Sequence, residues 1–165
     1  MPEIRTIRKA YNMSSIQSRT KLNGVIRETL RELGLQLALL NFQVGTRLKL
    51  NAGDLNCLDI IGRHGPLNPS TLARLSGMHP ATMTGVLDRL VKGGWITRER
   101  DPADRRAVVV EAVRERGAEV LKLYSGMNSA IASICSGYSE PELAAIGDFL
   151  KRCTEAGRES IDNLP

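Results

Sequence analysis

Between positions 68 and 106 the chain gathers small hydroxyl side chains and arginines in an order that suits binding to a polyanion better than it suits catalysis. Ala81, Thr82 and Thr84 stand together near the start of an amphipathic segment. A threonine hydroxyl can bond to several base edges, and an alanine or threonine methyl can meet the methyl of thymine. The alternative is that Thr82 touches only phosphate and that Thr84 packs or bonds back to its own backbone. Gly85 reads nothing by side chain, and inside a helix it costs up to about 1 kcal/mol relative to Ala, so a close approach by DNA is one reason for its presence. Ser70, Thr71 and Arg74 lie on the preceding segment, where they can hold phosphates and position without specifying. Arg89 flanks the exposed face. Asp88 would be repelled by phosphate if unpaired, so it reads as an orienting residue whose partner, by reach, is Arg105 or Arg89. Arg98 and Arg100 are ambiguous, one of them facing only solvent.

Other chemistries find no support. There is no Gly-rich phosphate loop, no H-E-x-x-H, no G-x-S-x-G and no Cys/His pair at a working spacing, so the chain does not read as an enzyme. His64 and His79 cannot build a zinc site alone, and neither a metal nor a cofactor is expected. Cys57, Cys135 and Cys153 are odd in number and far apart, which excludes a disulfide framework; all three fit apolar faces and read as buried structural thiols. Aromatic residues make up 4% of the chain, too few for the stacking platforms of single-stranded nucleic acid binders. The net charge of +5, from 23 Lys+Arg against 18 Asp+Glu, is compatible with a polyanion and is weak support alone. No apolar run approaches the roughly 18 residues of a membrane helix and the N-terminus lacks a signal-peptide core, so a cytoplasmic location away from membranes is expected.

These residues need elements to carry them. Asn68 is an N-cap candidate followed by Pro69 at the first helical position, and Gly77 can take a left-handed exit, which predicts a short helix over 69–76. His79-Pro80 opens a second helix running to Lys92, with Met83, Val86, Leu87 and Leu90 on one face. Gly93-Gly94 breaks it. Trp95 to Arg100 then forms the first arm of a hairpin that turns through Asp101-Pro102-Ala103-Asp104 and returns from Arg105 to Val110, with Pro66-Leu67 as a third strand. Two helices joined by a Gly-containing turn and followed by a basic hairpin make a winged helix-turn-helix, whose second helix suits the major groove of duplex DNA.

With Pro66-Leu67, Leu72-Ala73, Thr82 to Leu90, Gly94-Trp95-Ile96 and the D-P-x-D-R-R motif of Asp101 to Arg106 in register with Asp88-Arg89-Leu90, the sequence resembles the MarR family of bacterial transcriptional regulators. The resemblance spans about residues 32 to 155. It implies a role for Arg106, which matches the wing arginine that the family places in or beside the minor groove, where A·T tracts concentrate negative potential; the alternative is a solvated hairpin charge. Asp104 would be a second orienting residue. The return strand departs from the family's Leu-Thr ending: Glu111-Ala112-Val113-Arg114 stands there, without the threonine that would cap the next helix. None of the three cysteines matches the position of the reactive cysteine in the family's peroxide sensors.

Outside this unit the chain reads as long helices. Residues 1–17, with Arg5, Arg8 and Lys9, are expected to be a basic tail, partly disordered or touching DNA backbone. Residues 18–50 carry a stripe through Leu22, Ile26, Leu30, Leu33, Leu37, Leu40, Val44 and Leu48, with Leu35, Leu39 and Phe42 adding a second face. A helix apolar on two faces must be covered twice, most simply by a second subunit. Asn51 and Asp54 form a capping signal for a helix with Leu55, Leu58 and Ile61 buried, ending near Gly62. Residues 51–112 constitute the DNA-binding region. Residues 113–165 form further dimerisation helices, broken at Gly137 and restarted by the capping box Ser139-Glu140-Pro141-Glu142, with Leu143, Ile146 and Leu150 on one face. The expected fold is mainly α with a small β wing (α+β).

The functional expectation is a homodimeric regulator binding a pseudo-palindromic double-stranded operator, with Leu30, Leu33, Leu37, Leu40, Phe42, Leu143, Ile146 and Leu150 at the subunit contact. A repressor released by a small hydrophobic or aromatic ligand fits best. A non-specific architectural DNA-binding protein and a helical scaffold without DNA binding are the alternatives.

Overall fold

The computed structural model describes residues 3–100 and 107–164. Six helices and one hairpin follow in order: α1 (Glu3–Leu48), α2 (Ala52–His64), α3 (Pro69–Ser76), α4 (Pro80–Lys92), β1 (Ile96–Arg100), β2 (Val108–Ala112), α5 (Arg114–Cys135) and α6 (Glu140–Asp162). Contacts divide the chain into two compact units, residues 1–117 and 118–165. The mainly helical fold with a small antiparallel wing is the one the sequence predicts.

Most helix boundaries follow from capping chemistry. The Asn51 and Asn68 side chains accept hydrogen bonds from the N–H groups of Asp54 (2.9 Å) and Thr71 (2.8 Å). His79 caps α4 through Nδ1, which accepts from Ala81 N–H at 3.3 Å. Gly77 takes φ 66 at the end of α3, a left-handed conformation that a side chain disfavours. Ser139 donates both its N–H (2.8 Å) and its hydroxyl (2.7 Å) to the Glu142 carboxylate at the start of α6, holding that carboxyl below its ordinary value.

Two boundaries differ from expectation. The tail expected over residues 1–17 is helical from Glu3, because no Gly or Pro occurs between Glu3 and Asn23 and extending an existing helix is cheap even without an apolar stripe. α2 passes Gly62 and ends at His64, where Gly65 (φ 75) exits and its N–H returns to Ile61 C=O at 3.0 Å.

The core of the first unit lies where α2, α3 and α4 meet the base of the hairpin. α4 buries Met83, Val86, Leu87 and Leu90, each contributing about 1.5–3 kcal/mol by leaving water. β1 and β2 pair antiparallel, Ile96 opposite Ala112 and Arg98 opposite Val110. Leu67 adds the expected third strand as a single bridge, exchanging both backbone hydrogen bonds with Val110 at 3.0 and 2.8 Å. Trp95, buried at 3% exposure, carries the Arg116 guanidinium 3.7 Å from its ring centroid, and its carbonyl accepts from Val113 N–H at 2.9 Å. That backbone bond stands where the threonine cap would be, and it seats the first turn of α5 on the wing. Among the described residues no helix is long and apolar enough to cross a membrane.

The three thiols separate. Cys57 is fully buried, its Sγ 3.9 Å from Met78 Sδ, and burial together with the nearby Asp54 pushes its thiol up against a smaller opposing hydrogen bond from Ser76. Cys135 and Cys153 are only half-buried, contrary to the expectation of full burial, since the stripes they belong to stay partly open in the single chain.

Two experiments test these packing arguments. α1 ends in a tight turn in which Leu50 N–H donates to Gly45 C=O at 2.9 Å and Lys49 sits at φ 57. A Cβ on Gly45 would stand 2.7 Å from the Leu50 carbonyl oxygen, so Gly45→Ala is expected to cost about 1–3 kcal/mol. Lys49→Gly relieves the left-handed strain and should gain up to about 1 kcal/mol. Urea midpoints measure both, and equal midpoints would refute the turn geometry. Native-state alkylation with mass mapping should leave Cys57 unmodified until the protein is unfolded, and labelling of Cys57 ahead of Cys135 and Cys153 would contradict its burial.

Candidate nucleic-acid interface

α4 presents a mixed surface whose inner face is apolar and whose outer face is small and polar. Ala81, Thr82 and Thr84 are exposed, and Gly85 is half-exposed. Neither threonine hydroxyl bonds to another described residue, so the back-bonding alternative for Thr84 is absent and both groups stand available to a ligand. Two helices joined through Gly77 and Met78 set this face. Met78 N–H returns to Ala73 C=O at 3.0 Å, and Gly77 lets the chain reverse between α3 and α4.

On α3 the expected phosphate holders are partly committed elsewhere. The Ser70 hydroxyl donates to Asn68 Oδ1 at 2.8 Å, joining the cap that already receives Thr71 N–H, and Thr71 is half-buried. Arg74 is exposed near the end of the same helix.

The acidic and basic residues at the end of α4 pair differently from expectation. Asp88 accepts from Arg98 Nη2 on β1 at 2.7 Å, a partner not expected from the sequence, while Arg89, one of the two expected, pairs with Asp54 instead. The chain leaves α4 through Gly93-Gly94 and brings β1 back beside it, which puts a strand arginine within reach. Arg105, Arg106 and Asp104 lie outside the described residues, as does the tip of the wing.

Arg89 turns the other way. Its Nε and Nη2 donate to the carboxylate of Asp54 at 3.0 and 2.7 Å, a two-pronged contact joining α4 to the first turn of α2. Asp54 is 3% exposed and is the only buried charged residue among those described. The pair holds the arginine above its ordinary pKa, chiefly through that hydrogen bond. Sequence reasoning takes Asp54 only as a helix-capping signal and misses this contact. The signal is present all the same: Asp54, Leu58 and Ile61 share one helical face, and a carboxylate on a buried face requires a cation. Gly85 acquires a second explanation, because Arg89 Nη1 lies 3.5 Å from where its Cβ would be. The guanidinium lies along the helix over the gap that Gly85 leaves.

Residues 50–108 match the model of the MarR family, a span that contains α2 through the start of β2. Over 152 residues the chain is 29% identical to YcgE of Bacillus subtilis, an uncharacterized HTH-type transcriptional regulator, covering 92% of this chain and 99% of YcgE. The HTH-type transcriptional repressor YetL of the same organism is 31% identical over 90 residues, 52% of this chain and 54% of YetL. Among solved structures, the transcriptional regulator Tm0710 from Thermotoga maritima superposes with a TM-score of 0.58 at 27% identity, over 84% of this chain and 98% of that one. FabT of Streptococcus pneumoniae, solved in complex with DNA, shares the fold with a TM-score of 0.64 at 22% identity, over 81% and 96% of the two chains. In the matched span the winged helix-turn-helix, with a long helix before it and long helices after it in the chain, is similar to the MarR family.

Proposed function

We propose that the chain acts as a homodimeric, sequence-specific regulator in which α4 reads bases, the wing arginine Arg106 holds the backbone or minor groove, and Asp88 with Asp104 orient the two. The observation that carries the reading is the outer face of α4, where two threonine hydroxyls without partners among the described residues follow an alanine on a helix whose other face is locked into the core. Such a surface is shaped to enter a groove about 12 Å wide. FabT was solved bound to DNA and YetL is a repressor; both support, for this chain, a duplex target and repression.

The dimer rests on α1 and α6. Leu33, Leu37 and Phe42 are 39%, 38% and 65% exposed on α1, and Ile146 and Leu150 are 39% and 45% exposed on α6, beside the less exposed Leu30, Leu40 and Leu143. That much apolar surface on a single chain calls for a partner, and a second copy satisfies both helices. A small hydrophobic or aromatic ligand would release the operator only through different affinities for the DNA-competent and incompetent arrangements of the dimer.

Sedimentation at micromolar concentration should show a dimer, and footprinting should show a pseudo-palindrome with half-sites about one helical turn apart. A monomer, or protection of a single half-site, would refute the arrangement. The two kinds of recognition are separable. Arg106→Ala should weaken binding to operator and random duplex alike and reduce the log–log salt slope by roughly one for each phosphate that the arginine neutralises. Thr82→Ala with Thr84→Ala should lower only operator affinity, by about 1–3 kcal/mol for each base that a threonine reads, at nearly constant slope. Equal weakening of both DNAs by the threonine pair would favour a non-specific architectural protein.

A further inference from the structure

Asp54 and Arg89 do more than join two helices. A guanidinium carries donors on three nitrogens, and Asp54 occupies two of them: Nε at 3.0 Å and Nη2 at 2.7 Å. Nη1 has no hydrogen-bond partner among the described residues. It lies over Gly85, 3.5 Å from the position a Cβ would take there. Ala81, Gly85 and Arg89 are spaced by four and form one column on α4, because helical side chains lean toward the N-terminus. Two members of that column are an alanine and a glycine, so nothing on the helix covers the outward nitrogen, and the arginine side chain is 52% exposed while the Asp54 side chain is 4% exposed.

We infer that Asp54 is a positioning residue that holds Arg89 in one rotamer, so that Nη1 stands ready over Gly85 as a donor to a DNA phosphate beside α4. This rests on the DNA-binding reading above and adds to it a division of labour within one side chain. An unrestrained arginine surrenders much rotamer freedom when it binds phosphate, whereas one gripped at two nitrogens has already surrendered it on folding. Asn51 caps the Asp54 N–H, and the hydrogen bonds that the Asp54 carboxylate accepts from described side chains all come from Arg89. The same pair sets the height of the donor relative to Thr82 and Thr84, because all of them ride on α4.

Salt titration on a random-sequence duplex tests this with the full-length chain. The double variant Asp54→Asn/Arg89→Gln removes one negative and one positive charge, so the net charge and the long-range field are unchanged, and no unpaired carboxylate is left buried to unfold the protein. The log–log salt slope is expected to fall by about one for each Arg89 that meets a phosphate. A control pair on the outer face of α2, Asp59→Asn/Arg63→Gln, removes an exposed bridge of 2.8 Å and should leave the slope alone. Asp54→Asn alone keeps the cation and raises the net charge by one. Charge alone would tighten binding, whereas loss of positioning should weaken it about two- to tenfold. A double variant that melts cooperatively yet keeps the wild-type slope overturns the role of Arg89, and tighter binding by Asp54→Asn overturns that of Asp54. Wild-type protein that shows no salt-dependent binding to the duplex overturns the DNA-binding reading itself, and this inference with it.

Discussion

A carboxylate removed from water must find a cation, and the first unit is arranged around the consequence. Asp54 sits in the opening turn of α2, among residues that pack against α3 and α4, and Arg89 reaches it from α4. Removing Arg89 would leave the buried Asp54 carboxylate without its cation, whereas replacing both by neutral groups leaves no charge uncompensated. The pair therefore contributes little net stability and much geometry: it fixes which side of α4 turns inward. Hydrophobic burial of Met83, Val86, Leu87 and Leu90 holds α4 down, and the ion pair sets its rotation.

A second link fixes the wing. Asp88 and Arg98 tie the end of α4 to β1, Leu67 ties the start of α3 to β2, and Trp95 with Arg116 and Val113 ties the root of the hairpin to the first turn of α5. Each tie joins elements different in type. Displacement of that first turn is thus communicated to the hairpin through a packed ring and a backbone hydrogen bond, and from the hairpin to α4 through a surface ion pair. The last tie is exposed and weakened by salt.

What the sequence discloses about this molecule follows the range of the interactions involved. Caps at Asn51, Asn68 and His79, the left-handed exit at Gly77 and the buried face of α4 are local, and each is legible from spacing and residue type. The pairing of Leu67 with Val110 crosses about forty residues and is still legible, because an extended Pro66-Leu67 next to a winged motif has few other partners. The ion-pair partners are not. Arg89 and Arg98 both lie within reach of Asp88 along the chain, and only the path of β1 decides between them. Asp54 shows the same limit from the other side: its burial is readable from the helical face, yet its partner lies 35 residues away on another helix. The start of α1 is hidden for a different reason, since a polar helix leaves no apolar period to read.

The chain contains a single tryptophan, and the fold places it at the root of the wing beneath an arginine. Its indole is shielded from water and stacked against a cation on the first turn of α5, so the tryptophan fluorescence of the whole protein originates at one joint. Emission colour and quencher access consequently report on the junction between hairpin and α5, free of contributions from any other indole. The protein carries its own optical probe at the place where movement of that turn would be passed to the hairpin.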